Sequence, residues 1–261
     1  MTSILITYML ILLGVFLFQS RLLYLPGQYD PDDLIHLATQ FGLEPWPNQE
    51  NYRGFINKKN LNRNKGTILV FHGNAGSAIN RSFYIDALEQ LGFRVIITEY
   101  PGYGARGGKP SEIRLIADGV QTAQVALEQF GGPLYLWGES LGCGVASGII
   151  KTGQVSVKGL ILLTPFDNLP NVAQRHYWFV FGKWLTREKF NNVENLQDYR
   201  ERIAVLLARD DEIVPKRSTL KLYQSLSSQK KLWEFENSSH NNLPLQPTEN
   251  WWREVMEFIA K

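Results

Sequence analysis

The chain has 261 residues, of which 44% are hydrophobic, 12% aromatic and 20% charged. That apolar fraction excludes an intrinsically disordered chain, and the length favours one large domain. The 27 basic and 25 acidic residues leave a net charge of +2, which gives no electrostatic reason to expect a nucleic-acid partner. Cys143 is the only cysteine, so neither an intramolecular disulfide nor a cysteine-based metal cluster can form.

Residues 1–20 carry no charged side chain, and between 4 and 18 only Thr7 and Gly14 interrupt an apolar run. A spanning helix needs about 20 mostly apolar residues. The segment is therefore expected to be an uncleaved, single-pass N-terminal anchor closed by Arg21. A cleaved signal would want a basic stretch before Ile4 and a small-x-small site after Phe18, and the sequence has neither. A buried core helix is the remaining alternative. Arg21 alone leaves the side of the membrane undetermined.

After a stretch with Pro and Asp at 26–33, short apolar runs alternate with longer amphipathic segments. The runs are TILVFH (67–72), RVIITEY (94–100), PLYLW (133–137), GLILLT (159–164), IAVLLA (203–208) and KLWEFE (231–236). Most are continuous and aliphatic, as in strands buried on both faces of a parallel sheet. Helices are expected over 79–91, 111–130, 141–150 and 251–259; the second begins with Pro110-Ser111, an N-terminal signal. The alternation predicts an α/β fold built on a doubly wound, mostly parallel sheet. The polar, basic stretch 57–66 reads as a solvated connection, with contact to anionic lipid headgroups as a second reading.

Directly after the PLYLW run stands GESLG (138–142), a G-x-S-x-G pentapeptide between a strand and a small-residue helix. A tight turn there holds Ser140 strained and exposed, and the helix start supplies a backbone N–H where negative charge develops. An ordinary Gly-rich junction is the bland alternative. A serine nucleophile needs a base. Of His36, His72, His176 and His240, only the last two follow Ser140, and only His240 lies just after a late strand. His176 sits in an aromatic segment and reads as a packing or surface residue. The acid is expected after the preceding strand, where Asp210 and Asp211 stand, with Asp167 in reserve after an earlier one. A second oxyanion donor is expected from the Gly-rich loop 72–76, with the His72 ring bracing it. Cys143 is expected to be a small packing residue.

These motifs together resemble the α/β-hydrolase superfamily, and within it a membrane-anchored branch with an HGNAG loop that includes protein depalmitoylases. The likeness runs from about residue 67 to the C-terminus. It includes HGNAG (72–76), YPGYG (100–104), GKPSE (108–112), GESLG, DEIVP (211–215) and His240-Asn241; the phrase RLLYLP (21–26) after an apolar segment is also familiar there. The resemblance implies an α/β-hydrolase fold with a catalytic Ser140–Asp211–His240 triad, Asp211 being the Asp of D-x-x-V-P. It also implies backbone oxyanion donors at Asn74 and Leu141, and no metal or organic cofactor. Ala208 and Asn237-Ser238-Ser239 depart from the glycines usual in that pattern.

The expected organisation is an anchor at 1–20, a connection with divergent first strands at 21–66, and a catalytic core at 67–261 with little room for a cap. The expected activity is hydrolysis of a carboxylic ester or thioester through an acyl-enzyme, on a small-molecule or lipid-like acyl substrate. A serine peptidase of the same fold and a non-enzymatic ligand-binding or scaffold protein are the alternatives. The aromatic segment 165–199 holds Phe166, His176, Tyr177, Trp178, Phe179, Phe181, Trp184 and Phe190. Most of these are expected to pack in the core, with an acyl pocket or lid as the competing reading.

Overall fold

The computed structural model describes residues 2–57, 59, 65–177, 179 and 182–261. Most of the basic connection expected at 57–66, together with Trp178 and Phe181, lies outside these described residues.

The chain opens with α1 (Thr2–Leu23), β1 (Leu25–Pro26), α2 (Pro31–Gln40), and the short strands β2 (Glu44–Trp46) and β3 (Gly54–Ile56). Next come β4 (Thr67–Phe71), β5 (Ala75–Gly76), a 3-10 turn (Ala78–Arg81), α3 (Phe83–Glu89), β6 (Arg94–Thr98) and α4 (Glu112–Phe130). The middle of the chain forms β7 (Leu134–Glu139), α5 (Leu141–Thr152), β8 (Gly159–Leu163), α6 (Leu169–His176), α7 (Gly182–Leu185) and α8 (Asn192–Asn195). It closes with β9 (Arg202–Ala208), α9 (Lys216–Ser225), β10 (Lys230–Phe235) and α10 (Asn250–Ile259).

Eight strands make one sheet in the order β10-β9-β8-β7-β4-β6-β3-β2. The first six in that order run parallel; β3 joins β6 antiparallel, and β2 joins β3 antiparallel. The expected doubly wound, mostly parallel α/β sheet is present. Each expected run is a strand, though the second ends at Thr98 and the expected helix 79–91 divides into the 3-10 turn and α3.

The apolar runs are continuous because successive side chains leave opposite faces and both faces are covered. In β4, Leu69 and Phe71 pack on one side with α4 and α5, while Ile68 and Val70 pack on the other with α2, α3 and α10. The alternation repeats in β7, where Leu134 and Leu136 face one cluster and Tyr135 and Trp137 the other. On the second face Trp137 lies 5.4 Å from Tyr84 and 5.2 Å from Trp252 between ring centroids.

The strand order reverses at β4, which has β6 on one side and β7 on the other. In open α/β sheets the crevice beyond the carboxyl ends at such a point takes ligands. Phe71, the last residue of β4, pairs with Gly138 of β7, so the loops leaving the two strands emerge side by side.

Helix α1 stands apart from the sheet. The stretch Ser3–Leu23 has a mean hydropathy of 2.0, long and apolar enough to cross a membrane by length and composition. None of its apolar window is buried inside the protein, which overturns the core-helix alternative. The helix continues past residue 20 through Arg21 to Leu23, because nothing in that stretch breaks a helix.

Trp137 is fully buried between rings, so its loss leaves a large cavity. Trp137→Ala is expected to cost about 3–5 kcal/mol of unfolding free energy, read from the denaturant midpoint; a midpoint equal to wild type contradicts this packing.

Candidate active site

The turn from β7 into α5 puts Ser140 at φ 51° and ψ −112°, a conformation that side-chain-bearing residues seldom adopt. Two glycines make the turn possible by close approach. A Cβ on Gly138 would lie 2.6 Å from the backbone of Cys143, and one on Gly142 would overlap the Phe71 carbonyl. Ser140 N–H donates to Leu163 O at 2.9 Å, which fastens the bend to β8. The Cys143 thiol is buried, donates to Gly138 O and Leu163 O, and has its pKa pushed well up by burial. It packs under the bend and has no redox environment.

His240 and Asp211 arrive from the loops after β10 and β9. His240 Nε2 lies 3.0 Å from Ser140 Oγ, and Nδ1 lies 2.7 Å from Asp211 Oδ2. A carboxylate only accepts, so Nδ1 donates to Asp211 and Nε2 is left to accept from the serine hydroxyl. The other Asp211 oxygen accepts the N–H groups of Ile213 at 2.9 Å and Val214 at 2.7 Å, which holds the carboxylate still. Asp210, its neighbour, is exposed.

The remaining sequence candidates lie elsewhere. Asp167 is buried between α6 and α9, where Ser218 and Lys221 of α9 donate to it at 2.6 and 2.7 Å and Asn171 of α6 at 2.5 Å. Burial alone raises its carboxyl, but these donors outweigh burial and hold it below the usual range. His36 lies within α2, away from the strand ends. His176 ends α6, with Nε2 2.7 Å from Ile213 O, and sits at the mouth of the cleft.

Loop 72–76 leaves β4 beside the serine. The His72 ring braces it, with Nδ1 2.8 Å from Gly73 O and Nε2 3.2 Å from Glu99 Oε1. Glu99 also accepts Ala78 N–H at 3.0 Å, and Tyr100 O–H donates to His72 O at 2.7 Å. The Asn74 carbonyl is held by two donors: its O accepts from Leu25 N–H at 2.9 Å and from Tyr103 O–H at 2.8 Å. Its side-chain amide donates to Leu23 O at 2.8 Å, tying the loop to the end of α1. Among the described residues the backbone N–H groups of Asn74 and Leu141 have no hydrogen-bond partner. Both residues line the cleft that holds Ser140, and Leu141 opens α5, whose positive end faces it.

Two acidic residues complete the bracing, and the motif reading overlooked both. Glu99 ends an otherwise apolar strand run, and Glu139 is an arbitrary letter of G-x-S-x-G; an acid at the rim of a buried strand was the available signal. Glu139 pairs with Arg81 at 2.8 Å and accepts from Tyr84 O–H at 3.1 Å, joining the serine turn to the 3-10 turn after the loop. Burial raises its carboxyl, but Arg81 outweighs burial and brings it below its ordinary value.

The cleft over Ser140 measures about 510 Å³ and is mostly apolar. Phe166, Leu169 and Val172 form one wall, and Ile11, Val15 and Leu22 of α1 form the facing one. The expectation that the aromatic segment packs in the core holds for Phe166 and Phe190, which are 2% and 0% exposed. It fails for Tyr177, Phe179 and Trp184, at 47%, 53% and 81%. These three follow α6 or sit in the four-residue α7, a stretch that lies against α1 instead of the sheet. Among the described residues no group of three or more His, Cys, Asp or Glu is placed to hold a metal ion.

A family model described as serine aminopeptidase, S33, matches residues 62–195, just over half of the chain. The chain belongs to this α/β-hydrolase family. Within it, the mouse protein "Lysophosphatidylserine lipase ABHD12" is 29% identical over 210 residues, which cover 73% of this chain and 53% of that protein. The zebrafish (Danio rerio) protein of the same name is 30% identical over 196 residues, covering 67% and 51%. The chain thus spans about half the length of these curated relatives. Among solved structures, the Pyrococcus furiosus esterase Pf2001 superposes with a TM-score of 0.64 at 18% identity, covering 90% of this chain and 96% of that one. Est1E from Butyrivibrio proteoclasticus, with ferulic acid bound, gives 0.64 at 17% identity and covers 77% and 92%. At these identities both likenesses speak for the fold alone.

A carboxylate held below its ordinary pKa stabilises the fold above the carboxylate range, and the stabilisation is lost as pH falls through the folded value. Glu139→Gln is therefore expected to lower the melting temperature clearly at pH 7 and much less near pH 3. An equal loss at both pH values contradicts the Arg81 pairing.

Proposed function

We propose that the chain is a membrane-anchored serine hydrolase that cleaves a carboxylic ester or thioester by acyl transfer to water. The observation that supports this is the line of contacts from Ser140 Oγ through the His240 ring to Asp211. Ser140 Oγ attacks the carbonyl carbon as its proton passes to His240 Nε2. Asp211 keeps the imidazole in the tautomer that accepts at Nε2 and stabilises the imidazolium. The N–H groups of Asn74 and Leu141 take the oxyanion; one such donor is worth about 2.7–4 kcal/mol in the transition state. Collapse expels the alcohol or thiol, which leaves with the proton from His240, and an acyl-Ser140 ester remains. Water then repeats the sequence and releases the acid. Helix α1 is the anchor, by its length, apolarity and exposure.

The apolar cleft favours an acyl group over the amino end of a peptide. An aminopeptidase needs an anionic side chain to hold the substrate ammonium. Among the described residues lining the cleft Glu188 is the one carboxylate, and burial pushes its pKa up although the Glu112 N–H donates to it.

A serine-directed fluorophosphonate is expected to label the wild type and not Ser140→Ala; equal labelling of both overturns the assignment. Asp211→Asn is expected to lower kcat on a p-nitrophenyl ester about 10⁴-fold, by presenting the wrong tautomer. Asp210→Asn is expected to leave the rate unchanged. A non-enzymatic scaffold shows no turnover of these esters at all.

A further inference from the structure

Taking acyl transfer at Ser140 as proposed above, we infer that α1 is one wall of the acyl subsite, so the helix that holds the protein in the membrane also gauges the chain that reaches the serine. Ile11, Val15, Gln19 and Leu22 recur at i, i+4, i+8 and i+11, one face of α1, and all four line the cleft that has Ser140 at its floor. Leu10, Leu13 and Leu17 lie on the opposite face, 61%, 51% and 55% exposed, and none of them lines the cleft; Ile11 and Leu22 keep 49% and 55% exposure, so it is the lining of the cavity that sets their face apart. Helix α1 is apolar all round, as an anchor is, but among the described residues only this face also lines the cavity.

Polar contacts fix the spacing between α1 and the segment facing it. Tyr8 O–H donates to Phe179 O at 2.5 Å. Gln19 donates to Leu185 O at 3.2 Å and accepts Arg187 N–H at 2.7 Å. The Arg187 guanidinium also lies 4.0 Å from the centre of the Phe16 ring. Tyr8 and Gln19 are about 16 Å apart along the axis at 1.5 Å per residue. Between them Ile11 and Val15 offer only hydrocarbon to the cleft. The result is an apolar slot braced near each end, with far more room than an acetyl group requires.

The occupant is the acyl chain of an ester amphiphile resident in the bilayer. Since the outer face of α1 lies in lipid, a chain that slides around the helix into the slot exchanges one apolar surface for another without crossing water. The exposed rings of Tyr177 and Phe179 line the same cleft, as aromatic residues do at a membrane–water boundary. The hydrogen bond that the Asn74 side-chain amide donates to Leu23 O sets the inner end of the slot against loop 72–76.

The test uses the full chain in detergent micelles with p-nitrophenyl esters from butyrate to palmitate, which share one leaving group. The readout is the ratio of kcat/KM for palmitate to that for butyrate. Val15→Trp fills the slot and is expected to lower the ratio about tenfold or more, while Val15→Ala is expected to raise it. Leu13→Trp adds the same ring to the lipid face and is expected to leave both rates at wild type. The inference is overturned if neither Val15 substitution moves the ratio, or if Leu13→Trp moves it equally. If Val15→Trp abolishes all turnover, the ratio in Val15→Ala decides. Wild-type protein that turns over no ester overturns the acyl-transfer reading instead, and fluorophosphonate labelling tells the two failures apart.

Discussion

Gly142 sits so close to the end of β4 that any side chain there would overlap the Phe71 carbonyl. On that contact depend both the bend that strains Ser140 and the nearness of loop 72–76 to it. The registry of β4 with β7, Phe71 opposite Gly138, brings the two strand ends level, and the glycines let α5 start at once across them. A serine in this backbone region persists only if its surroundings hold it there. They do so through Leu163 O on β8, Cys143 beneath the bend, and the Glu139–Arg81 pair beside it.

The sheet acts on the site through its strand order. Six parallel strands point their carboxyl ends the same way, so side chains from β7, β9 and β10 converge although Ser140 and His240 lie 100 positions apart in the sequence. Both faces of the sheet are covered, which keeps the strands rigid and leaves the crevice at the order reversal as the place where loops can meet a ligand. The two antiparallel strands β3 and β2 extend the sheet on the far side and do not reach this crevice.

The N-terminal helix changes character between the two levels of description. By composition it is a stretch able to span a membrane. In the fold its last carbonyl accepts from Asn74, β1 pairs with β5 at the end of loop 72–76, and one helical face lines the cleft. The stretch able to span a membrane and the shape of the site are therefore linked through one helix.

Much of the site was legible in the chain because local patterns carried it. Strand runs and a G-x-S-x-G turn are short-range features, the chain order of Ser140, Asp211 and His240 can be read without any spacing, and the resemblance through D-x-x-V-P separated Asp211 from Asp210. The supporting acids Glu99 and Glu139 were not legible, since their partners lie 27 and 58 positions away and no spacing marks them. The aromatic segment was misjudged for most of its exposed members, because hydrophobicity says that Tyr177, Phe179 and Trp184 avoid water and not which surface they meet. What the sequence determined by itself was the fold class, the apolar N-terminal helix and the residue types able to perform acyl transfer, all set by periodicity and backbone stereochemistry. Only the tertiary structure decided that α1 faces the serine cleft, because contact between distant segments is settled by packing, which no local pattern encodes.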